Sequence, residues 1–261
     1  LGVAYDSEKA TTVAESVMKF IQEEGIAASA DLAGRRGAFP NFDKSVFRNG
    51  GPVLRNATVT TIAPTGTISM IAGCSSGIEP IYALSYVRNV LDNQELPEVN
   101  PVFEEVMRAR GLYDIGLMRR IAATGSIQGF EEIPAGVRRL FVIALDIKPE
   151  WHVKMQAAFQ KYTHNAVSKT VNFPHEATVE DVARVYLMAY RLGCKGVTVY
   201  RDRSRESQVL NVGGKRSSAG RGAGEAPQVP AVAAKAVDAA AVRVELTPRP
   251  RPEITVGTTS R

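Results

Sequence analysis

The sequence predicts an α/β fold, and two stretches carry the prediction. The first spans residues 168–200. A short β-like run at 168–173 (Ser-Lys-Thr-Val-Asn-Phe) is followed by a helix-start signal, an apolar helical face and a glycine stop. A second β-like run, Gly196-Val197-Thr198-Val199-Tyr200, then closes the unit. Strand, helix and strand with short connections make a right-handed crossover and imply a parallel pair. The second stretch is the alternating run at 58–62 (Thr-Val-Thr-Thr-Ile), which reads as a strand and leads straight into Ala63-Pro64-Thr65-Gly66-Thr67-Ile68-Ser69.

Residues 7–33 read as a helix with Val13, Val17, Phe20, Ile21 and Ile26 on its apolar face. Residues 34–52 are rich in Gly, Arg, Pro and Asn and read as loop. Residues 72–80 are small and polar, a tight loop or a helix entry. Residues 83–91 read as extended, with Asp92-Asn93 as a turn. Helices are expected at 101–110, at 114–124 and at 149–162, the last with Pro149 as a helix-start residue. In the C-terminal unit, Thr178-Val179-Glu180-Asp181 is a capping box with Asp in place of Glu. Val182, Val185, Tyr186, Ala189 and Leu192 form one face, and Gly193 ends the helix. Residues 211–247 change to Gly, Ala, Ser, Pro and Val and read as a flexible linker. Residues 248–261 (Pro-Arg-Pro-Arg-Pro, then Glu-Ile-Thr-Val-Gly) read as the start of a further module cut off at Arg261. Leu1 stands where an initiator methionine would, so the chain reads as a fragment.

Composition narrows the function. Apolar residues make up 44% of the 261, enough for a core. The net charge of +5 misleads. Eight Lys/Arg against four Asp/Glu lie beyond residue 210, leaving 24 against 23 before it. The folded part therefore lacks the basic face that nucleic-acid binding needs. No apolar run approaches the ~18 residues of a membrane span. Two cysteines, Cys74 and Cys194, make neither a disulfide framework nor a zinc site, and a cytoplasmic setting fits them. Three scattered histidines do not make a metal centre.

The turn at 63–69 is the strongest ligand signal. Gly66 lets the backbone approach a ligand closely, and the threonine hydroxyls and free N–H groups can point at phosphate oxygens. Three or four such charge-assisted bonds, at roughly 1.5–3 kcal/mol each, would hold a diphosphate without a cationic side chain. The pattern is neither the lysine-bearing phosphate loop nor G-x-G-x-x-G. On spacing alone, an ordinary tight turn after a strand satisfies it equally well.

Several segments together resemble one family, the adenosylcobalamin-dependent (class II) ribonucleoside-diphosphate reductases. They are Ala63–Ser69, Gly73-Cys74-Ser75-Ser76-Gly77-Ile78-Glu79-Pro80, the run from Pro149 to Lys161, Asn165 to Asn172, and Gly193 to Asp202. The resemblance covers residues 1–210. It implies the C-terminal part of a ten-stranded α/β barrel, followed by the linker. It also implies reduction of ribonucleoside diphosphates at the 2′ carbon by a thiyl radical that adenosylcobalamin generates. A thioredoxin-type reductant and a homo-oligomer are the partners it brings. The role it assigns to Pro64, Thr65, Gly66, Thr67 and Ile68 is binding of the substrate phosphates. The family's radical cysteine sits in Asn-Pro-Cys-Gly-Glu, which these 261 residues lack. No catalytic residue is therefore expected here, and the chain alone should be inactive. A non-catalytic phosphate-binding remnant of the barrel is the alternative.

Other residues admit bland readings beside functional ones. Cys74, among small residues, reads as a small buried hydrophobe, and Cys194 as structural. His152 reads either as packed in the core or as facing the cofactor. Glu79 orients a substrate hydroxyl or caps a loop. Lys169 and Lys195 offer positive potential to a nucleotide or are simply solvated. Tyr200 is a core aromatic or an interior functional group.

Overall fold

Helix α1 (Glu8–Arg36) begins where a capping hydroxyl is available. Ser7 Oγ accepts the Ala10 N–H at 3.2 Å, and Arg35 and Arg36 complement the dipole at the other end. The structure, a computed structural model, describes residues 1–90, 94–202 and 204. The buried face of α1 is not the one its large apolar residues mark. Ala10, Ala14, Met18, Ser29 and Ala33 are buried, whereas Val17, Phe20 and Ile21 are 47%, 63% and 46% exposed. The reason is close packing on a later helix, α6 (Pro149–Gln160). Small Ala10 and Ala14 meet Met155 and Ala158, and only small side chains let two helices approach there. Two ion pairs flank this contact, Lys154 with Glu8 at 2.7 Å and Lys161 with Glu15 at 2.9 Å.

The stretch expected as loop holds two 3-10 turns, Phe42–Lys44 and Val46–Asn49. Residues 54–60 then run back along α1. Arg55 N–H donates to Ser29 O at 3.1 Å and Asn56 N–H to Ser29 Oγ at 3.0 Å. A Cβ on Gly25 would lie 3.1 Å from Val59 Cγ2, so glycine permits this approach.

Helix α2 (Gly66–Ala72) follows directly, and was not expected. The extended stretch expected at 83–91 forms β1 (Ser85–Val90), paired antiparallel with β2 (Gln94–Val99). The turn expected at Asp92-Asn93 lies outside the described residues. Asn100 caps α3 (Pro101–Ala109), its Oδ1 accepting from Val102 and Phe103 N–H at 3.1 Å each. Asp114 caps α4 (Ile115–Thr124), and Gly125 at φ +76° ends it. A short α5 (Ala135–Leu140) completes this region. Leu84, Phe103, Met107, Met118, Ile121 and Ile127 form its core, each at 0% exposure.

The C-terminal unit is as expected. β3 (Thr170–Phe173) and β4 (Thr198–Arg201) are parallel, in register from Thr170↔Thr198 to Phe173↔Arg201. Helix α7 (Val179–Arg191) joins them, and its capping box is complete: Asp181 N–H donates to Thr178 Oγ1 and Thr178 N–H to Asp181 Oδ2. Val185 and Ala189 bury against Val153, Val171 and Phe173, with Val182 partly buried. Tyr186 and Leu192 of the expected face stay 50% and 45% exposed, because α7 meets the sheet along a narrow stripe.

The strand expected at 58–62 is reduced to one parallel bridge, Ile62 with Val167. The cause is local. His164 N–H donates to Thr60 Oγ1 at 2.9 Å, and Val59 N–H donates to His164 Nδ1 at 3.4 Å. These side-chain bonds take the place of ladder bonds. The 165–173 stretch thus pairs in parallel with Ile62 at Val167 and with β4 from Thr170 onward, the parallel pairing of an α/β fold. The linker at 211–247 and the module from 248 lie outside the described residues.

Candidate functional site

The candidate loop leaves the end of the 60–62 segment and becomes α2 within three residues. The first backbone bond at this end runs from Ser69 N–H to Thr65 O at 2.9 Å. The N–H groups of residues 66–68 lie ahead of it, where intrahelical acceptors run out. Ser69 is buried and turns its hydroxyl onto Gly66 O at 2.8 Å, fixing the first turn from inside. Pro64, Gly66, Thr67 and Ile68 are exposed and Thr65 is half-buried. Thr65 Oγ1 lies 3.1 Å from Ser76 Oγ, so the loop is tied to the return segment behind α2.

Gly66 stands in open space. A Cβ built there would meet nothing within 4 Å, and its backbone is not left-handed. Its value is therefore not to relieve a clash inside the fold but to leave room on the outer side. Gly77 is the opposite case. At φ +53° its Cβ would fall 3.3 Å from Ile62 Cγ2, so glycine lets the return segment pass against the base of the loop.

The return segment ends in a buried polar network that sequence reading took as separate residues. Glu79 Oε1 accepts the Thr170 N–H at 2.6 Å, and Glu79 Oε2 accepts from Lys169 Nζ at 2.7 Å. The Lys169 side chain is wholly buried. Its ammonium also donates to His152 Nδ1 at 2.9 Å and to Thr170 O, so all three donors are used. His152 Nε2 lies 3.0 Å from Ala144 O and donates to it. Burial first, and the Lys169 charge second, push the imidazole down to about 3, so His152 is neutral. Burial also lowers Lys169, opposed by Glu79. Tyr5 donates to Ile78 O at 2.7 Å, and burial followed by the Glu79 charge raises its phenol well above the ordinary value.

Of the bland readings, packed holds for His152 and solvated fails for Lys169. Alternation could have found Lys169, since Val167, Lys169, Val171 and Phe173 share one buried face at a period of two. Lys195 donates to His164 O, and Tyr200 is half-buried. Cys74 is exposed, contrary to its reading as a buried hydrophobe, because the segment after α2 runs along the surface. Cys194 is half-buried against the α7 core, and burial raises its thiol.

Two of the cavities among the described residues lie beside β3 or the segment leading into it. An open cleft of about 380 Å3 lies where the three extended segments meet, bordered by 61–64, 166–169 and 196–198. Of the five loop residues, Pro64 borders it. The other, about 580 Å3, lies between the start of α6 and α7 and shares no residue with the loop. Both are of small-ligand size; neither has the extent of a corrin with its side arms. No group of three or more His, Cys, Asp and Glu among the described residues is placed to hold a metal ion.

Comparison with known proteins gives this geometry a lineage. The family description "Ribonucleotide reductase, barrel domain" matches residues 1–53 and 51–200. A vitamin B12-dependent ribonucleoside-diphosphate reductase of Thermoplasma acidophilum is 53% identical over 213 residues, which are 82% of this chain and 28% of that protein. One of the same name from Mycobacterium tuberculosis is 49% identical over 211 residues, 81% of this chain and 30% of the relative. The chain thus spans under a third of the length of these curated relatives. Among solved structures, the Actinobacillus ureae class Id ribonucleotide reductase alpha subunit aligns at a TM-score of 0.65 and 25% identity, covering 77% of this chain and 36% of that one. With a barrel-domain match over the whole of its first 200 residues, the chain belongs to the ribonucleotide reductase family.

Proposed function

We propose that this chain supplies the substrate-phosphate-binding portion of a vitamin B12-dependent ribonucleoside-diphosphate reductase. The observation that carries the reading is the 64–68 loop. It presents backbone N–H groups, two threonine hydroxyls and an open outer side at Gly66, at the end of an extended segment. Such a surface donates hydrogen bonds and carries no negative side chain, which suits the oxygens of a diphosphate. The names of the relatives supply the reaction.

When bound, adenosylcobalamin supplies the radical chemistry of such an enzyme. No described residue here is assigned to hold it. What these residues do is fix one end of the substrate. A diphosphate clamped by Thr65, Gly66, Thr67 and Ile68 leaves the ribose little freedom, and that lowers the entropic cost of presenting a sugar carbon to a radical. In this reading the reductant is a thioredoxin-type dithiol and the enzyme a homo-oligomer.

In the intact reductase, Gly66→Val should lose affinity for a ribonucleoside diphosphate while cobalamin binding is kept. The new side chain meets open space in the fold and so obstructs only a ligand. Equal loss of both affinities, measured by equilibrium dialysis, would overturn the assignment.

A further inference from the structure

We propose that Glu79 and Ser76 are positioning residues for the phosphate loop, transmitting the rigidity of the buried Lys169–His152 pair to the Thr65 hydroxyl. The proposal rests on the phosphate-binding reading of residues 64–68.

The path is continuous. Ala144 O holds His152, whose Nδ1 accepts from Lys169, whose ammonium holds Glu79. Glu79 grips strand β3 through the Thr170 N–H, and its own N–H donates to Ser76 O at 2.9 Å. That bond closes the turn and sets the Ser76 hydroxyl 3.1 Å from Thr65 Oγ1. Gly77, in the same turn, packs against Ile62 where the loop begins.

Counting protons gives the arrangement a direction. Either hydroxyl of the Thr65–Ser76 pair can be the donor. A phosphate oxygen only accepts. When Thr65 donates outward to a phosphate, Ser76 must be the one that donates to Thr65. Ser76 can do this only while its turn is held, and Glu79 holds it. The network therefore holds Thr65 Oγ1 in place before the ligand arrives, and the ligand, by accepting from Thr65, makes Ser76 the donor. Lys169 lies within this chain of contacts but has no donor to spare for substrate, so its charge acts through Glu79.

The test compares equilibrium binding of a ribonucleoside diphosphate and of the unphosphorylated ribonucleoside. It uses the intact reductase with Ser76→Ala, Ser76→Thr, Glu79→Gln and Gly66→Val. Loss of one preset hydrogen bond should weaken diphosphate binding about 2- to 12-fold in Ser76→Ala and Glu79→Gln. Ribonucleoside binding should stay unchanged in both, and Ser76→Thr should restore the affinity. A merely structural role would lower the melting temperature without moving the ratio of the two affinities. If Glu79→Gln does not fold, Ser76→Ala decides alone, because Ser76 lies outside the buried pair. An unchanged ratio in the folded variants, with Gly66→Val impaired, overturns the positioning role and leaves the phosphate loop standing. Full diphosphate affinity in Gly66→Val overturns the phosphate-loop reading itself, and the positioning role with it.

Discussion

His152 shows how burial decides the state of one residue. It sits at 0% exposure with an ammonium on one ring nitrogen and a carbonyl on the other. A proton on the ring would place a second cation against Lys169 and remove the acceptor Lys169 uses. The folded protein therefore holds His152 at about 3, against an ordinary 6.5. The sign follows. Below pH 6.5 the unfolded chain takes up a proton that the folded chain refuses. The stability this neutral histidine permits is complete above about pH 6.5 and is lost as pH falls toward 3, at roughly 1.4 kcal/mol per pH unit. Between pH 7 and pH 5 the wild type should lose about 2 kcal/mol from this residue, and His152→Gln should show a flatter fall. Urea melts at the two pH values measure the difference; equal slopes would mean a solvated imidazole.

At the scale of the element, termini are fixed by named side chains, while faces are fixed by what lies opposite. Ser7, Asn100, Asp114 and Thr178 all cap the helices that the sequence places after them. The reciprocal pair at Thr178 and Asp181 makes α7 a test. Thr178→Ala should cost about 1 kcal/mol in a thermal or urea melt, with Thr178→Ser nearly neutral. A loss below ~0.3 kcal/mol would show that tertiary contacts alone hold the helix end. The buried face of α1 was not legible. Val17, Phe20 and Ile21 carry the apolar signal, yet the contact with α6 runs along Ala10 and Ala14. A helix pattern marks which residues can be buried; the neighbour's distance decides which are. Two short elements were illegible for a different reason. Ala135–Leu140 is too brief for a periodicity, and Gln94–Val99 carries Pro97, which argues against a strand.

Across the whole molecule, the crossover from Thr170 to Arg201 was legible in full, because alternation, cap and glycine stop agree there. So was the exit of the candidate loop at 63–69 from the end of the 60–62 segment. The network behind the loop was not, because it joins residues 5, 79, 152 and 169, and no local pattern reports contacts across such separations. The described core is likewise divided among separate clusters. One lies within residues 81–145 and another joins α6, α7, β3 and β4. Ile121 lies in the first and is wholly buried, so Ile121→Ala should cost about 2–5 kcal/mol. A urea titration checks it, and a loss under ~1 kcal/mol would mean the cluster repacks freely.

The bridge between Ile62 and Val167 has a kinetic consequence. Its flanking partners, Thr61 and Ala166, stand 105 positions apart in the chain. Closing a flexible loop of that length is entropically costly and, where it limits the rate, slow. The span, however, contains a hairpin and three helices around a cluster drawn from its own residues. Those contacts are short in sequence and can form early. Once formed, they draw residues 81 and 145 toward each other, so the two bridged segments meet across a prefolded insert instead of a free chain. The candidate phosphate loop, which begins at the end of the 60–62 segment, would then be among the last parts of the molecule to take its shape.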